Sequence, residues 1–291
     1  MGRPSSFDRF RVRNDRRFAL AEIDPNDTDG IEKEPAQTRL TERLERLGEL
    51  QERLYAQDRW AVLLIFQGMD ASGKDGVVKQ VLSGINPAGS QVFAFKAPSS
   101  EELDHDFLWR AARALPERGR IGIFNRSYYE EVVTVRIHPE FLEKQRLPPR
   151  CVGKEIWDER LEDIESFERY LTRNGVLVRK FFLHVSREEQ KRRFLSRIDE
   201  ADKHWKFNEG DVAERAHWDA YQQHWSEAIA KSSSAHAPWF VVPADKKWFT
   251  RLVVAEALVA GLEELELDFP KLEGERKQEL ARARKALEAE T

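Results

Sequence analysis

One stretch limits the possible folds more than any other. Ala61-Val-Leu-Leu-Ile-Phe66 is a continuous apolar run, and Gly68-Met-Asp-Ala-Ser-Gly73-Lys74-Asp75-Gly76 follows it directly. A strand that is apolar on both faces belongs inside a sheet covered by helices on both sides. After the glycines, Val77, Val78, Val81 and Leu82 recur at helical spacing. The unit is therefore strand, tight loop, helix. It fits G-x-x-x-x-G-K in the context that the motif requires. Gly68, Gly73 and Gly76 let the backbone curl so that its N–H groups, with the Ser72 hydroxyl, converge on phosphate oxygens. The helix start adds its positive dipole end, and Lys74 adds a mobile charge. An ordinary glycine turn is the alternative reading, and the strand-loop-helix context disfavours it.

Asp75 stands where Ser or Thr usually holds Mg²⁺. It has two open readings, a functional role and a charge facing the helix dipole. Asp70 lies inside the loop, where a bare carboxylate would repel phosphates. The sequence therefore predicts that Asp70 ligates or orients Mg²⁺.

The same alternation continues along the chain. Strands are expected at 91–96, 120–124, 176–185 and 239–242. Helices are expected at 101–115, 156–173, 186–198, 221–232 and 249–265. A capping box, Ser186 with Glu189, opens the helix at 186. A leucine-striped helix with Leu40, Leu44, Leu47 and Leu54 precedes the first strand. Its stripe suits core packing or an interface between copies. This order predicts an α/β fold, a parallel sheet with helices on both faces. Ligands in such folds bind beyond the carboxyl ends of the strands. Three segments are expected: an N-terminal arm and helix at 1–58, a phosphate-loop domain at 59–270, and a charged tail at 271–291.

After the third strand comes Phe124-Asn-Arg-Ser-Tyr-Tyr-Glu-Glu-Val132. Arg126 can bind a phosphate with two hydrogen bonds. Asn125 can take a water or phosphate oxygen, and Glu130 or Glu131 can hold metal or orient the attacking phosphate. Metal ligation is assigned to Asp70 and Glu131. Further along, Arg187, Lys191, Arg192, Arg193 and Arg197 crowd one helix, and Lys203-His-Trp-Lys-Phe207, Arg215 and Trp218 follow. A solvated charged helix is one reading. A lid at about 187–220, closing over phosphates, is the favoured one.

Charge speaks less clearly. The 291 residues hold 48 Lys+Arg against 52 Asp+Glu, a net charge of −4. That argues against a generally basic nucleic-acid binder and leaves room for a local basic face. Lys79, Arg136 and Lys206 are candidates for such a face. One cysteine, Cys151, excludes an internal disulfide framework. The longest apolar run, Trp60 to Phe66, is too short to span a bilayer. Six arginines fall in the first seventeen residues with no apolar stretch after them. A secretory signal is not expected; a solvated arm in a cytoplasmic protein is.

Together, Gly68 to Gly76, Phe124 to Val132 and Trp205-Lys-Phe207 resemble the polyphosphate kinase 2 family. Asn86-Pro-Ala-Gly89 and Trp239 to Pro243 are also similar. The resemblance spans about residues 7–270. It implies a P-loop kinase fold like that of thymidylate kinase. It also implies Mg²⁺-dependent, reversible phosphoryl transfer between inorganic polyphosphate and AMP or ADP, with guanine nucleotides as a further acceptor class. The family's site residues map onto Asp70, Lys74, Asn125, Arg126, Glu130 and Glu131, and its lid lysine onto Lys206. No nucleic-acid or membrane partner is expected, and a homo-oligomer is. An ATP-dependent nucleoside monophosphate kinase would use the same loop. A nucleotide- or polyanion-binding protein without turnover would not need two glutamates after the third strand.

Overall fold

The computed structural model describes residues 7–13 and 17–290. Residues 1–6 and 14–16, which include Arg3 and Arg16, lie outside them with Thr291. In chain order the elements are α1 (Lys33–Gln57), β1 (Ala61–Gln67), α2 (Lys74–Leu82), β2 (Ser90–Ala94), α3 (Ser100–Leu103), α4 (Trp109–Arg113) and β3 (Ile121–Asn125). They continue with α5 (Thr134–Ile137), α6 (Pro139–Lys144), α7 (Ile156–Arg173), β4 (Val176–His184), α8 (Arg187–Asp199) and α9 (Glu209–Ala213). The chain ends with α10 (Trp218–Ser232), β5 (Trp239–Pro243), α11 (Lys247–Glu263) and α12 (Glu275–Glu288). No helix among the described residues is long and apolar enough to cross a membrane.

The five strands form one parallel sheet in the order β2-β3-β1-β4-β5. The expected α/β architecture is what the chain adopts. β1 is central, and all seven of its residues are buried. Register decides where the site forms. Phe66 of β1 pairs with Asn125 of β3 on one side and with Phe181 of β4 on the other. The loop after β1 and the turn after β3 therefore leave the sheet side by side, at its carboxyl edge.

α1 packs along α11, with Leu40 against Leu252 and Ala255. Leu47, Leu50 and Leu54 enter the main core. The leucine stripe is thus turned inward onto this chain's own helix. Gly48 permits a close approach to the turn after α2, because a Cβ there would meet the Gly84 carbonyl oxygen at 2.6 Å.

Three local expectations are corrected. The helix expected over 101–115 is two short helices, because Asp106 accepts from the Leu108 amide at 2.9 Å and turns the chain between them. The Ser186–Glu189 box is half made. The Ser186 hydroxyl accepts from the Glu189 amide at 3.0 Å, but the Ser186 amide donates to Asp245 at 2.8 Å. Glu189 turns instead to Arg192 and Arg193. The described part of the N-terminal arm is solvated only in part. Phe10 and Val12 are buried, and the Val12 amide donates to the Trp239 carbonyl at 2.8 Å. The arm lies on β5, where its apolar residues cover a sheet edge.

Candidate active site

At the carboxyl edge of the sheet lies a cleft of about 810 Å³. Its floor is the loop from Asp70 to Val77; its walls are the end of β2, Asn125-Arg126, α8, the segment 200–211 and the start of α11. The loop can close only because Gly68 has φ +144°, where a Cβ would meet the Leu183 carbonyl oxygen at 2.7 Å. Lys74 begins α2 and bends back over the loop. Its ammonium donates to the carbonyls of Gly68 at 2.7 Å and Met69 at 3.2 Å. Burial, and then the charge of Arg126, pull its pKa down to about 8.

Asn125 and Arg126 meet the two loop acids. Arg126 donates to the Asp70 carboxylate at 2.6 Å, and the Asn125 amide donates to Asp75 at 2.6 Å. Arg126 sits at φ +64° with its own amide bonded to the Phe66 carbonyl at 3.0 Å. A left-handed arginine costs on the order of 1 kcal/mol. That conformation turns its side chain back over the loop. The charge of Glu130, ahead of that of Asp70, raises the Arg126 pKa. The hydrogen-bond pattern orients the Gln67 amide nitrogen toward Glu130 at 2.9 Å, and the Thr134 hydroxyl also donates to Glu130. The charge of Glu130 is felt at Lys74 as well.

Glu131 does not join this group. It points away from the cleft and is buried beside Arg160 at 3.4 Å, Gln145 at 2.7 Å and Arg110 at 3.8 Å. Burial raises its pKa, and Arg160 opposes that. Its neighbour Glu130 faces the loop because the 3-10 turn Tyr128–Glu131 sends consecutive side chains in different directions. Two expected phosphate ligands are also elsewhere. Lys79 is exposed on α2 and does not line the cleft. Arg136 is paired with Glu227 at 2.8 Å on α10. Lys206 does line the cleft, with its ammonium 4.8 Å from the centre of the Trp205 ring.

The structure adds residues that the sequence reading passed over. Lys247 and Arg251 face the cleft from the first turns of α11. Their i, i+4 spacing is the signal that could have found them. Asp211, one of many acids in its segment, also lines the cleft. Burial first, and then the charge of Asp70, push its carboxyl above the usual range. Altogether ten basic side chains and four acidic ones line the cleft, in a chain whose net charge is −4. The basic face is real and local.

Asp70 and Asp211 are a donor set that suits Mg²⁺. The ion takes one or two carboxylates from a protein when phosphates supply much of the remaining shell. Two acids that crowd one another also gain most from a cation between them. Glu131 does not line the cleft and so cannot share an ion with them.

The family model described as Polyphosphate kinase 2 matches residues 30–270. A curated relative from Rhodopseudomonas palustris, named ADP-polyphosphate phosphotransferase, is 51% identical over 249 residues, 85% of this chain and 86% of its own. One from Meiothermus ruber, named AMP/ADP-polyphosphate phosphotransferase, is 41% identical over 91% of this chain and 96% of its own. The crystal structure of Polyphosphate Kinase 2 from Arthrobacter aurescens TC1 superposes with a TM-score of 0.87 at 39% identity, covering 96% of both chains. A match across four-fifths of the chain, with the loop and the Asn-Arg turn joined at one sheet edge, makes this chain a member of the polyphosphate kinase 2 family.

Proposed function

We propose that this protein transfers phosphoryl groups between inorganic polyphosphate and AMP or ADP, forming ADP or ATP, with Mg²⁺. The observation that carries the reading is the cleft's charge. Ten basic side chains exceed what the phosphates of one nucleotide can occupy, and they extend from the loop along α8 and α11. A polyanionic chain running out of the loop would use them. The relatives' names support the same substrates.

Phosphoryl transfer needs positioning and charge neutralisation rather than a covalent nucleophile. The loop amides and Lys74 hold oxygens of the transferring group. Arg126 is held by Asp70 at 2.6 Å; a phosphate that takes Arg126 frees the Asp70 carboxylate. Asp70 and Asp211 would hold the Mg²⁺, which neutralises phosphate charge when bound. Glu130 orients Arg126 and Lys74 from behind. The residues 187–220 act as a lid whose Lys203, Lys206 and Arg197 close on the chain of phosphates.

Incubating the protein with Mg²⁺, polyphosphate and AMP or ADP, side by side, is expected to yield ADP or ATP. Product formed only when ATP replaces polyphosphate would establish an ATP-dependent nucleotide kinase instead.

The pH profile gives a second check. Free enzyme with a Lys74 pKa of about 8 loses its loop cation above that pH. kcat/KM for polyphosphate is expected to fall as pH rises through about 8, because that ratio reports the free enzyme. kcat itself falls later, since bound phosphate holds the proton on. In Lys74→Arg, which stays charged, the alkaline fall should vanish; a fall at the same pH in that variant would assign it to another group.

A further inference from the structure

Phosphate loops present amides inward, so their carbonyls point outward and need partners. Here the carbonyls of three consecutive loop residues are received by side chains of α8. The Gln190 amide donates to the Asp70 carbonyl at 2.9 Å. The Arg193 guanidinium donates to the carbonyls of Ala71 at 2.9 Å and Ser72 at 2.7 Å. Arg193 also reaches the Ala244 carbonyl after β5, which ties the loop to the next strand's end. Both side chains are buried, Gln190 at 1% exposure. Gln190 serves the back of the loop and does not line the cleft, while Arg193 reaches the cleft's edge.

Gln190 has a second partner. Its side-chain oxygen accepts from Arg215, which also donates to the Arg187 carbonyl at 3.2 Å. Arg215 lies in the 3-10 turn Glu214–His217, where the segment 200–217 returns toward α10. The two ends of one primary amide therefore touch two different elements. The nitrogen holds the loop residue whose carboxylate meets Arg126, and the oxygen holds the returning arm.

We propose that Gln190 is a positioning residue that couples the returning arm of the lid to the phosphate loop. When the arm is seated, Arg215 fixes the amide's orientation. The amide then fixes the Asp70 carbonyl, and with it the direction in which the Asp70 carboxylate points. When the arm lifts, the amide is free to rotate and the loop loses one of its three outward anchors. Loop order is thereby linked to arm position by a path that does not run through the phosphates. The direction of control rests on reading 187–220 as a lid; the physical coupling between Arg215 and the loop does not.

The test uses Arg215→Gln and Gln190→Glu in the full chain. The glutamate still accepts from Arg215 but cannot donate to the Asp70 carbonyl, so it cuts one half of the link. Hydrogen exchange followed by mass spectrometry is expected to show faster exchange in the 68–76 loop for both variants. Each should also lower kcat about tenfold, the scale of one well-placed hydrogen bond, with KM changed less than twofold. The double variant should be no slower than Gln190→Glu alone, since both act through one amide. Wild-type loop exchange in Arg215→Gln would overturn the proposal, and so would losses that multiply in the double variant. Arg215 is only half-buried, so its variant keeps the test open if Gln190→Glu fails to fold. A wild-type chain inactive with polyphosphate would sink the functional reading, while the exchange measurements would still judge the coupling.

Discussion

Lys74→Met is expected to lower polyphosphate-dependent kcat/KM by about a hundredfold or more, the scale on which removing one preorganised donor acts, and to leave the fold intact. Methionine keeps the stem and removes the charge. The Lys74 ammonium is bonded to the Gly68 and Met69 carbonyls, so the loss falls on the point where phosphate must bind. Stability should move the other way. The folded-state pKa is depressed from 10.5 to about 8, and a depressed lysine costs stability while it stays charged. Each pKa unit is worth about 1.4 kcal/mol, so the cost is roughly 3 kcal/mol, partly offset by its hydrogen bonds. The cost is fully present below pH 8. It fades as pH rises toward 10.5, where the unfolded chain also releases its proton. The variant's advantage in chemical denaturation should therefore be largest near pH 7 and shrink by pH 10. A turnover loss under tenfold would remove Lys74 from the chemistry.

The loop, the strand order of the chain and the family were legible because they are local or periodic. An apolar run followed by G-x-x-x-x-G-K carries its own context, and Ile156–Arg173 announced itself by spacing and by Asn174-Gly175 at its end. What failed was direction. Glu130 and Glu131 are neighbours in sequence, yet a 3-10 turn sends one toward the loop and the other into a buried cluster with Arg160. Lys79, Arg136, Lys247 and Arg251 are alike in composition; beyond the i, i+4 spacing of the last two, it is the tertiary packing of α2, α5 and α11 that sorts them. Asp211 and Gln190 carry no sequence signal at all, because their roles come from what lies across the cleft or behind the loop.

β4 holds the other lesson. The run 176–185 reads as an apolar strand, yet Arg179 and Lys180 lie in its middle, both buried. The Lys180 ammonium has three protons and three partners: Glu168 at 2.5 Å, the Ser232 carbonyl at 2.8 Å and the Tyr129 hydroxyl at 2.9 Å. Glu168 in turn accepts from the hydroxyls of Tyr128 and Tyr129, each at 2.9 Å. Lys180 and Glu168 are both wholly buried. Burial pushes the lysine pKa down and the carboxyl pKa up, and each partner's charge opposes the shift of the other. Such a pair adds little net stability when complete, but half of it is costly. Lys180→Met leaves Glu168 buried without its cation and is expected to destabilise the fold by about 3–5 kcal/mol. Pairing it with Glu168→Leu should recover part of that loss, since two apolar groups then fill the space while the two tyrosine hydroxyls lose their acceptor. The recovered double variant should still be impaired in turnover. Tyr128 and Tyr129 belong to the turn that carries Arg126 and Glu130, and the buried pair is what holds their hydroxyls. Denaturant unfolding of both variants, followed by kcat for the double variant, separates the two claims. A single variant that loses under 1 kcal/mol would show that Glu168 simply takes up a proton. A double variant with wild-type kcat would show that the turn needs no anchor beneath it.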